Sequence, residues 1–515
     1  MRYKKRTENI ILNYKTIDRF IYTLFILVLV SISTRSYSQN TQVALRFADP
    51  LTNNMVIQQN KPFKVWGKAP KNDVVRIEAD WLQGPVSVRA NEEGNFMGII
   101  SVPKIEPGDY SKHQLSISTE KGETVTLQNL LIGEVWFCGG QSNMQSPVSE
   151  TLGGKEELTK ANNSNIRLFN AALNFSNTPL NEIKGEWVEC TPQSVEKFSA
   201  VGYYFAKELQ TRLNVPVGVI FSGIGASAAQ AYVPKEVLAL DKMLDSVYLQ
   251  PYLRSDKSKE VIDGGFSFEK VTRPFLLYNA MIHPFVNLSI KGFCWYQGES
   301  NRNERESYTH LMHTLIKSWR TEFGQGELPF YYVQVAPFFW DQENPDLADY
   351  AFFREAQEKI SKVGSTGMVI TMDVGEAKDL HPKNKKPTGI RLALTALHTT
   401  YSDLTVVYQG PKVKCVEFNK AVATVSYLPE SIEGGLKTND NSSPKFFSLA
   451  GDDGKFYPAN ATIKGNMIRV TSSKVKHPVA LRYAFTNYPV TNLENGAGLP
   501  ALPFKTDSWP EQKIK

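Results

Sequence analysis

The chain has 515 residues, of which 42% are hydrophobic, 11% aromatic and 21% charged. This composition excludes an intrinsically disordered chain, a collagen-like repeat and a small disulfide-dense scaffold. The length predicts about three domains, and the formal charge of +6 suggests nucleic acid or an anionic membrane as a partner only if that charge lies in the folded part.

The first 38 residues have the organisation of a secretory signal peptide. A basic segment precedes the apolar run 20–33, and Ser36-Tyr37-Ser38 places small residues at the −3 and −1 positions of a cleavage site. An uncleaved anchor is the alternative, but the run is shorter than the roughly 20 residues that span a bilayer. Residues 1–38 carry seven basic and two acidic side chains, so 51 basic and 50 acidic ones remain, a net charge of +1. We therefore expect a periplasmic or secreted, soluble mature protein with no nucleic-acid partner and no membrane association.

Residues 39–130 are predicted to form a β domain. Short β-branched segments, separated by Gly, Pro, Asn and Asp, predict strands at 43–47, 63–66, 74–77 and 86–88. No long segment with helical periodicity interrupts them, which favours a small β-sandwich.

Residues 131–402 have the alternating pattern of an α/β domain. Apolar strand-like runs are predicted at 135–138, 217–221, 292–296, 330–335 and 368–372. Amphipathic helices are predicted between them at 198–213, 307–322, 350–362 and 387–400. The polar stretch of about 241–272 is interpreted as an insertion or long loop. Near-continuous apolar strands alternating with helices predict a parallel sheet that is covered on both faces.

Residues 403–515 return to short strands. They are predicted at 405–408, 421–425, 467–470 and 479–483. The predicted architecture is therefore an α/β domain flanked by N-terminal and C-terminal β-sandwich-like domains.

The segment after the first strand of the α/β domain contains a candidate nucleophile. Ligands of open α/β sheets bind at the carboxyl ends of the strands, and the string GGQSNM (139–144) follows this one. Its two glycines permit a tight turn into a helix, with the hydroxyl of Ser142 projecting above the sheet. An N-capping serine is equally compatible with the string. Met144 stands where the GxSxG elbow requires glycine, which disfavours a standard α/β-hydrolase.

The segments after the second and third strands could supply hydrogen-bond donors. The string SGIGAS (222–227) could bring a backbone N–H towards a ligand, and QGESN (297–301) offers the amides of Gln297 and Asn301. Taken alone, a flexible loop and an Asn-rich turn explain these strings as well.

His381 is the candidate base among the seven histidines. It follows the fifth strand, and Asp379 lies two residues before it in the same loop. His310 and His313 have a helical spacing that could bind metal, but no third ligand is apparent and a solvated helix face is the simpler interpretation. A serine, a histidine with a carboxylate and several oxyanion donors are the groups that acyl transfer requires.

Long strings of this sequence resemble a known family. GEVWFCGGQSNMQ (133–145), CWYQGESN (294–301) and DLHPKNK (379–385) resemble the sialate O-acetylesterase group of SGNH hydrolases. The opening segment 49–67 and the closing segment 482–507 are also similar, so the resemblance covers nearly the whole mature chain. It implies a flavodoxin-like three-layer catalytic domain and hydrolysis of O-acetyl esters on sugars or glycans, without a metal or an organic cofactor.

The resemblance also implies roles for individual residues. By motif position, Ser142 matches the nucleophile and His381 the base, while Gly225 and Asn301 match oxyanion donors that the Ser142 backbone N–H completes. Gln297 and Glu299 are candidate supporting residues.

Two positions depart from the family pattern. Many SGNH enzymes place the acid three residues before the histidine, where this chain has Lys378. Asp379 is therefore the candidate acid, with Asp373, Glu376 and Glu299 as alternatives. Ala226 occupies a position where family members often have glycine, which is tolerable unless that position requires a positive φ.

Three functions compete at this level. The first is an exported esterase acting on O-acetylated sialic acids by a Ser-His-Asp acyl-enzyme mechanism. The second has the same chemistry on acetylated xylan or another polysaccharide, and the motifs do not separate the two. The third is a non-catalytic carbohydrate-binding protein, which the joint presence of Ser142, Asn301 and His381 disfavours.

Overall fold

A computed structural model describes residues 44–340 and 347–511 of the chain. The predicted signal peptide and residue 43 of the first predicted strand lie outside the described residues. Within these two ranges, every helix is too short or too polar to cross a membrane.

In the N-terminal part, the strands at 74–79, 95–100 and 113–119 have side chains that alternate between the interior and solvent, as the period-two pattern predicts. The strands β3 and β6 pair antiparallel, as do β4 and β7, and β7 pairs with the start of β8. The strands are β1 Arg46–Phe47, β2 Val56–Gln58, β3 Phe63–Lys68, β4 Val74–Ala79, β5 Val86–Arg89, β6 Asn95–Ile100, β7 His113–Thr119 and β8 Thr124–Gly140.

The long strand β8 joins this part to the central sheet. Its first residues pair antiparallel with β7, and its last residues lie between two parallel neighbours. The predicted boundary at residues 130 and 131 therefore falls within one continuous 17-residue strand.

The central sheet has the strand order β10-β9-β11-β8-β12-β13-β14, with β10 antiparallel to β9 and the other pairs parallel. The added strands are β9 Asn163–Asn170, β10 Trp187–Cys190, β11 Val217–Gly223, β12 Gly292–Tyr296, β13 Phe330–Val333 and β14 Thr366–Val369. The five strands predicted from sequence are neighbours here, and in chain order they read 2-1-3-4-5. This order places a topological switch point between β8 and β12, where a ligand crevice is expected.

Helices cover both faces of this sheet. Phe137, Phe293 and Phe330 point to one face, where they pack with Trp319 of α8. The alternate strand residues point to the other face, where α4 and α10 pack against the sheet and each other. The α-helices are α1 Ser142–Gln145, α2 Gly154–Leu158, α3 Pro192–Glu196, α4 Ala200–Leu213, α5 Lys235–Leu240, α6 Lys242–Leu244, α7 Gln250–Arg254, α8 Glu306–Phe323, α9 Asp349–Glu358 and α10 Lys386–Thr399.

Most predicted helices agree with the structure within two residues, but two predicted segments differ. The stretch 241–272 is not a plain loop, because it contains α6, α7 and several single helical turns. The strand predicted at 405–408 is wrong, since these residues form a turn and an irregular segment. Val406 is buried beside α10 and the ring of Tyr408 stacks on His398 at 4.2 Å, so helix packing rather than strand pairing explains this apolar run.

The C-terminal part contains two four-stranded antiparallel sheets, β15-β16-β21-β20 and β19-β18-β22-β24, and the pair β17-β23. Its core also includes Ile370 and Met372, which directly follow β14. The strands are β15 Val413–Asn419, β16 Val422–Tyr427, β17 Leu436–Thr438, β18 Phe447–Ala450, β19 Phe456–Pro458, β20 Asn460–Lys464, β21 Met467–Thr471, β22 Ala480–Tyr483, β23 Leu493–Asn495 and β24 Phe504–Lys505.

Candidate active site

Ser142 lies at the start of a one-turn helix directly above the switch point. The chain enters this turn through Gly140, whose φ is 137° and whose hypothetical Cβ would lie 2.2 Å from the carbonyl oxygen of Tyr296. Only glycine permits this close approach of β8 to β12. The N–H of Gln141 donates to the same carbonyl at 3.0 Å. As the first helical residue, Ser142 has a backbone N–H without an intrahelical acceptor.

His381 meets Ser142 across the cleft. The histidine belongs to the loop between β14 and α10, and its Nε2 lies 2.8 Å from the Ser142 Oγ. Burial lowers the pKa of His381, and the positive charge of Lys385 lowers it further, against the opposing effect of Asp379. A neutral imidazole in hydrogen-bond contact with a serine hydroxyl can accept its proton.

Asp379 lies on the other side of the imidazole. Its Oδ1 accepts the backbone N–H of His381 at 2.8 Å and lies 3.5 Å from the ring Nδ1. Burial would raise the pKa of Asp379, but the His381 N–H and the Lys383 ammonium outweigh burial and lower it. The carboxylate is therefore ionised and close to the imidazole, although the contact with Nδ1 is longer than a strong hydrogen bond.

The three alternative carboxylates have other partners. Asp373 forms a bidentate ion pair with Arg391, with N···O distances of 2.8 and 2.6 Å. Glu376 accepts the backbone N–H of Lys383 at 2.6 Å. Glu299 is buried behind the serine turn and accepts from Asn143. Of the four candidates, the structure brings Asp379 alone to the histidine ring.

Gly225 adjoins the serine, as its motif position requires. A Cβ built on Gly225 would lie 3.4 Å from the Cβ of Ser142. Its N–H, however, donates to the side-chain Oε1 of Gln145 at 2.8 Å. An oxyanion that uses this donor must displace Gln145, whose part in the site the sequence did not reveal. Ala226 adopts φ 61°, so the substituted position does require the left-handed conformation that favours glycine.

Asn301 and Gln297 form a buried amide pair after β12. The Asn301 Oδ1 accepts from Gln297 Nε2 at 2.7 Å and from the backbone N–H of Ala229 at 3.0 Å. This arrangement fixes the orientation of the Asn301 amide. Its Nδ2 donates to Gln230 and to Glu304, both at 3.0 Å. For Asn301 to donate to an oxyanion, one of those two bonds must be released.

His310 and His313, whose helical spacing could bind metal, have other partners in the structure. His310 Nε2 lies 2.5 Å from the carboxylate of Asp241, and His313 Nε2 lies 3.2 Å from the Lys359 carbonyl oxygen. Within the described part of the chain, no three His, Cys, Asp or Glu side chains cluster as metal ligands do.

The serine and histidine open into a cleft of about 510 Å³. Its rim is polar and carries charges of both signs, with Ser142, Gln145, Ser149, Glu150, Thr151, Glu196, Lys197, His381 and Lys383 among the lining residues. The chain therefore presents a serine hydroxyl and a neutral imidazole, in hydrogen-bond contact, to an open cleft lined mainly by polar and charged residues. This is the combination expected of an enzyme that acts on polar esters.

Similarity to known proteins agrees with this class. Residues 260–397 match the family described as carbohydrate esterase, sialic acid-specific acetylesterase. A solved carbohydrate acetylesterase from Xanthomonas citri is 31% identical with a TM-score of 0.79, and the alignment covers 90% of this chain and all of that one. The fold and the site thus define a carbohydrate esterase, a carboxylic ester hydrolase.

Two mammalian relatives indicate which family of carbohydrate esterases this is. The sialate O-acetylesterase of Mus musculus is 25% identical over 91% of this chain and 95% of its own length, and that of Homo sapiens is 25% identical over 90% and 92%. This chain belongs to the sialate O-acetylesterase family.

Proposed function

We propose that this protein is an exported serine esterase that removes O-acetyl groups from sugars, with O-acetylated sialic acids as the preferred substrates. The observation that carries the proposal is the 2.8 Å contact between Ser142 Oγ and His381 Nε2 at the switch point of the sheet. The 2-1-3-4-5 order of β11, β8, β12, β13 and β14 supports placing the central domain among the flavodoxin-like SGNH hydrolases, with helices on both faces as the two outer layers.

In the first step, His381 accepts the proton of Ser142 as the serine oxygen attacks the acetyl carbonyl carbon. Asp379 stabilises the resulting imidazolium. The oxyanion is held by the backbone N–H groups of Ser142 and Gly225 and by the Asn301 amide. Gln145 must first withdraw from Gly225, and Asn301 must release Gln230 or Glu304. The imidazolium then protonates the sugar oxygen, the ester bond breaks, and the acetyl group remains on Ser142.

In the second step, water replaces the sugar. His381 accepts a proton from the water as it attacks the acetyl-serine ester, and the same donors hold the second oxyanion. Collapse of that intermediate releases acetate, and the proton returns to the serine oxygen.

A second substrate class has support of its own. The Xanthomonas citri relative, at 31% identity, is a carbohydrate acetylesterase, a name that covers acetylated sugars in general. An acetylated polysaccharide such as xylan is therefore the second candidate. The open, polar cleft also suits a long glycan.

Export is proposed on the N-terminal sequence alone. The basic segment, the apolar run 20–33 and the Ser36-Tyr37-Ser38 site support a cleaved signal peptide. N-terminal sequencing of the protein recovered from a cell envelope or culture fluid would test it, and an intact residue 1 would contradict cleavage.

Acetate release from a substrate panel tests the proposed activity. The panel contains an O-acetylated sialic acid, acetylated xylan and an aryl acetate, each with the wild-type protein and with Ser142→Ala. We expect acetate from sialic acid at the highest kcat/KM and a loss of at least about 10⁴-fold in Ser142→Ala. Wild-type turnover of the aryl acetate by a folded Ser142→Ala variant would overturn the mechanism.

A further inference from the structure

Three polar side chains are buried together behind the catalytic serine and histidine. Asn143 belongs to α1, Glu299 to the turn after β12, and Lys385 immediately precedes α10. Their exposed fractions are 0%, 3% and 2%, so water does not satisfy them and each must find partners within the protein. Burying an ammonium and a carboxyl group costs free energy unless they are hydrogen-bonded and compensated by charge.

A single amide links the three residues to the catalytic pair. Asn143 Nδ2 donates to Glu299 Oε1 at 2.5 Å and to the backbone carbonyl of Leu380 at 3.2 Å. The Asn143 Oδ1 accepts a hydrogen bond from the Lys385 ammonium. Because Asn143 follows Ser142 and Leu380 precedes His381 in the chain, this amide connects the serine turn directly to the histidine loop.

The same cluster places an almost fully buried positive charge near the imidazole, since Lys385 and His381 are four residues apart and both line the cleft that contains Ser142. Burial lowers the pKa of Lys385 to about 8, so the side chain is still mainly protonated at neutral pH. Burial raises the pKa of Glu299. Because this carboxyl group ionises less readily, it neutralises the positive charge of Lys385 less effectively. The other charged groups that act on His381 are Asp379 and Lys383, and the cleft rim adds Glu150, Glu196 and Lys197.

We propose that Asn143, Glu299 and Lys385 are positioning residues of the esterase reaction. The Asn143 amide, which Glu299 helps to hold, keeps Ser142 and His381 in contact, and the Lys385 ammonium opposes protonation of His381 before Ser142 attacks the substrate. The proposal rests on the proposed serine esterase function. A histidine that is kept neutral remains a competent base to lower pH, because protonated imidazole cannot accept the serine proton.

The charge is tested by the pH dependence of kcat/KM for an aryl acetate. Lys385→Met removes the ammonium and retains most of the apolar stem, so protonation of His381 becomes easier and the acidic limb moves to higher pH. Lys385→Arg restores the charge and should return the limb towards its wild-type position. Lys386→Met is the matched control, because it removes the same charge from the exposed neighbouring residue and should leave the limb unchanged. Equal acidic limbs for Lys385→Met and Lys386→Met would overturn the electrostatic role.

The positioning role is tested by Asn143→Asp, which preserves the side-chain size. The replacement has no N–H to donate to Leu380 and sets a carboxylate against Glu299. Misplacement of a catalytic group by about 1 Å costs on the order of 10²-fold in rate, so we expect that loss in kcat, with KM nearly unchanged. The positioning role would be refuted by an Asn143→Asp variant that is folded by circular dichroism and has a kcat within about threefold of wild type. If Lys385→Met does not fold, Asn143→Asp still decides the positioning role, and Lys385→Gln takes its place in the pH-profile test of the charge. Ser142→Ala in the same assay distinguishes failure of this proposal from failure of the proposed function. Retained turnover in Ser142→Ala would overturn the serine esterase function itself.

Discussion

Replacement of Asp379 by asparagine is the sharpest test of the role proposed for this carboxylate. The Asp379 Oδ1 accepts the His381 backbone N–H at 2.8 Å and lies 3.5 Å from Nδ1, while Oδ2 lies 3.4 Å from the Lys383 ammonium. An asparagine that keeps its oxygen on the His381 N–H turns its NH₂ group towards the Lys383 ammonium. If the amide rotates, it turns the NH₂ group towards the His381 N–H. In either orientation the NH₂ group faces another hydrogen-bond donor, so one hydrogen bond is lost. The negative charge that stabilises the imidazolium is lost as well.

The geometry also sets the size of the effect. Loss of the carboxylate from a buried triad costs about 10⁴-fold in kcat. Here the Asp379 side chain is 34% exposed and the Nδ1 contact is 3.5 Å, so solvent screens part of the interaction. We expect a loss of about 10²–10³-fold, or about 3–4 kcal/mol of transition-state stabilisation.

The assay is aryl acetate hydrolysis by Asp379→Asn across pH. Because the carboxylate favours the protonated imidazole, its removal should move the acidic limb of kcat/KM to lower pH as kcat falls. Glu376→Gln is the matched control, since this neighbouring carboxylate bonds Lys383 instead of His381 and its loss should cost less than about tenfold. A near-normal rate for Asp379→Asn, or an equal loss for Glu376→Gln, would refute the assignment.

Three further outcomes are expected. Asn301→Ala should lower kcat by about 10²–10³-fold if its amide reaches the oxyanion; denaturation that shows only a stability loss of about 1–3 kcal/mol, with kcat intact, would assign Asn301 to the scaffold. Ala226→Gly should stabilise the protein by about 0.5–1 kcal/mol, because φ 61° is unfavourable for alanine, and an unchanged urea midpoint would contradict this. Finally, burial and Lys385 lower the pKa of His381, so kcat/KM should fall on acidification only below the ordinary histidine value of about 6.5; an acidic limb centred above pH 7 would oppose this.

Much of the fold is predictable because its signals are local. The apolar runs of β8, β11, β12 and β13 and the periodicity of α4, α8, α9 and α10 specify strands and helices within short windows of sequence. The segment 405–408 shows the limit of such reasoning. Its β-branched residues have strand propensity, but burial of Val406 beside α10 satisfies the same apolar side chains without a strand partner.

The site also has some features that local sequence predicts and others that only the tertiary structure shows. Ser142 and His381 stand out from motif and from their position after parallel strands, because the sheet brings strand ends to one edge. The partners of those residues depend on distances between segments that are remote in sequence. The N–H of Gly225 is occupied by Gln145, and the amide of Asn301 is shared between Gln230 and Glu304.

By itself, the sequence indicated the α/β class, the candidate nucleophile and base, and the near-neutral charge of the chain beyond residue 38. The tertiary structure decided which carboxylate adjoins His381, since Asp373, Glu376, Glu299 and Asp379 are equivalent as residue types and differ in their partners. It also decided that Asn143 and Lys385 lie buried where the serine turn meets the histidine loop. Hydrogen bonding and desolvation act over a few ångströms in space, and only the folded chain establishes which groups come that close.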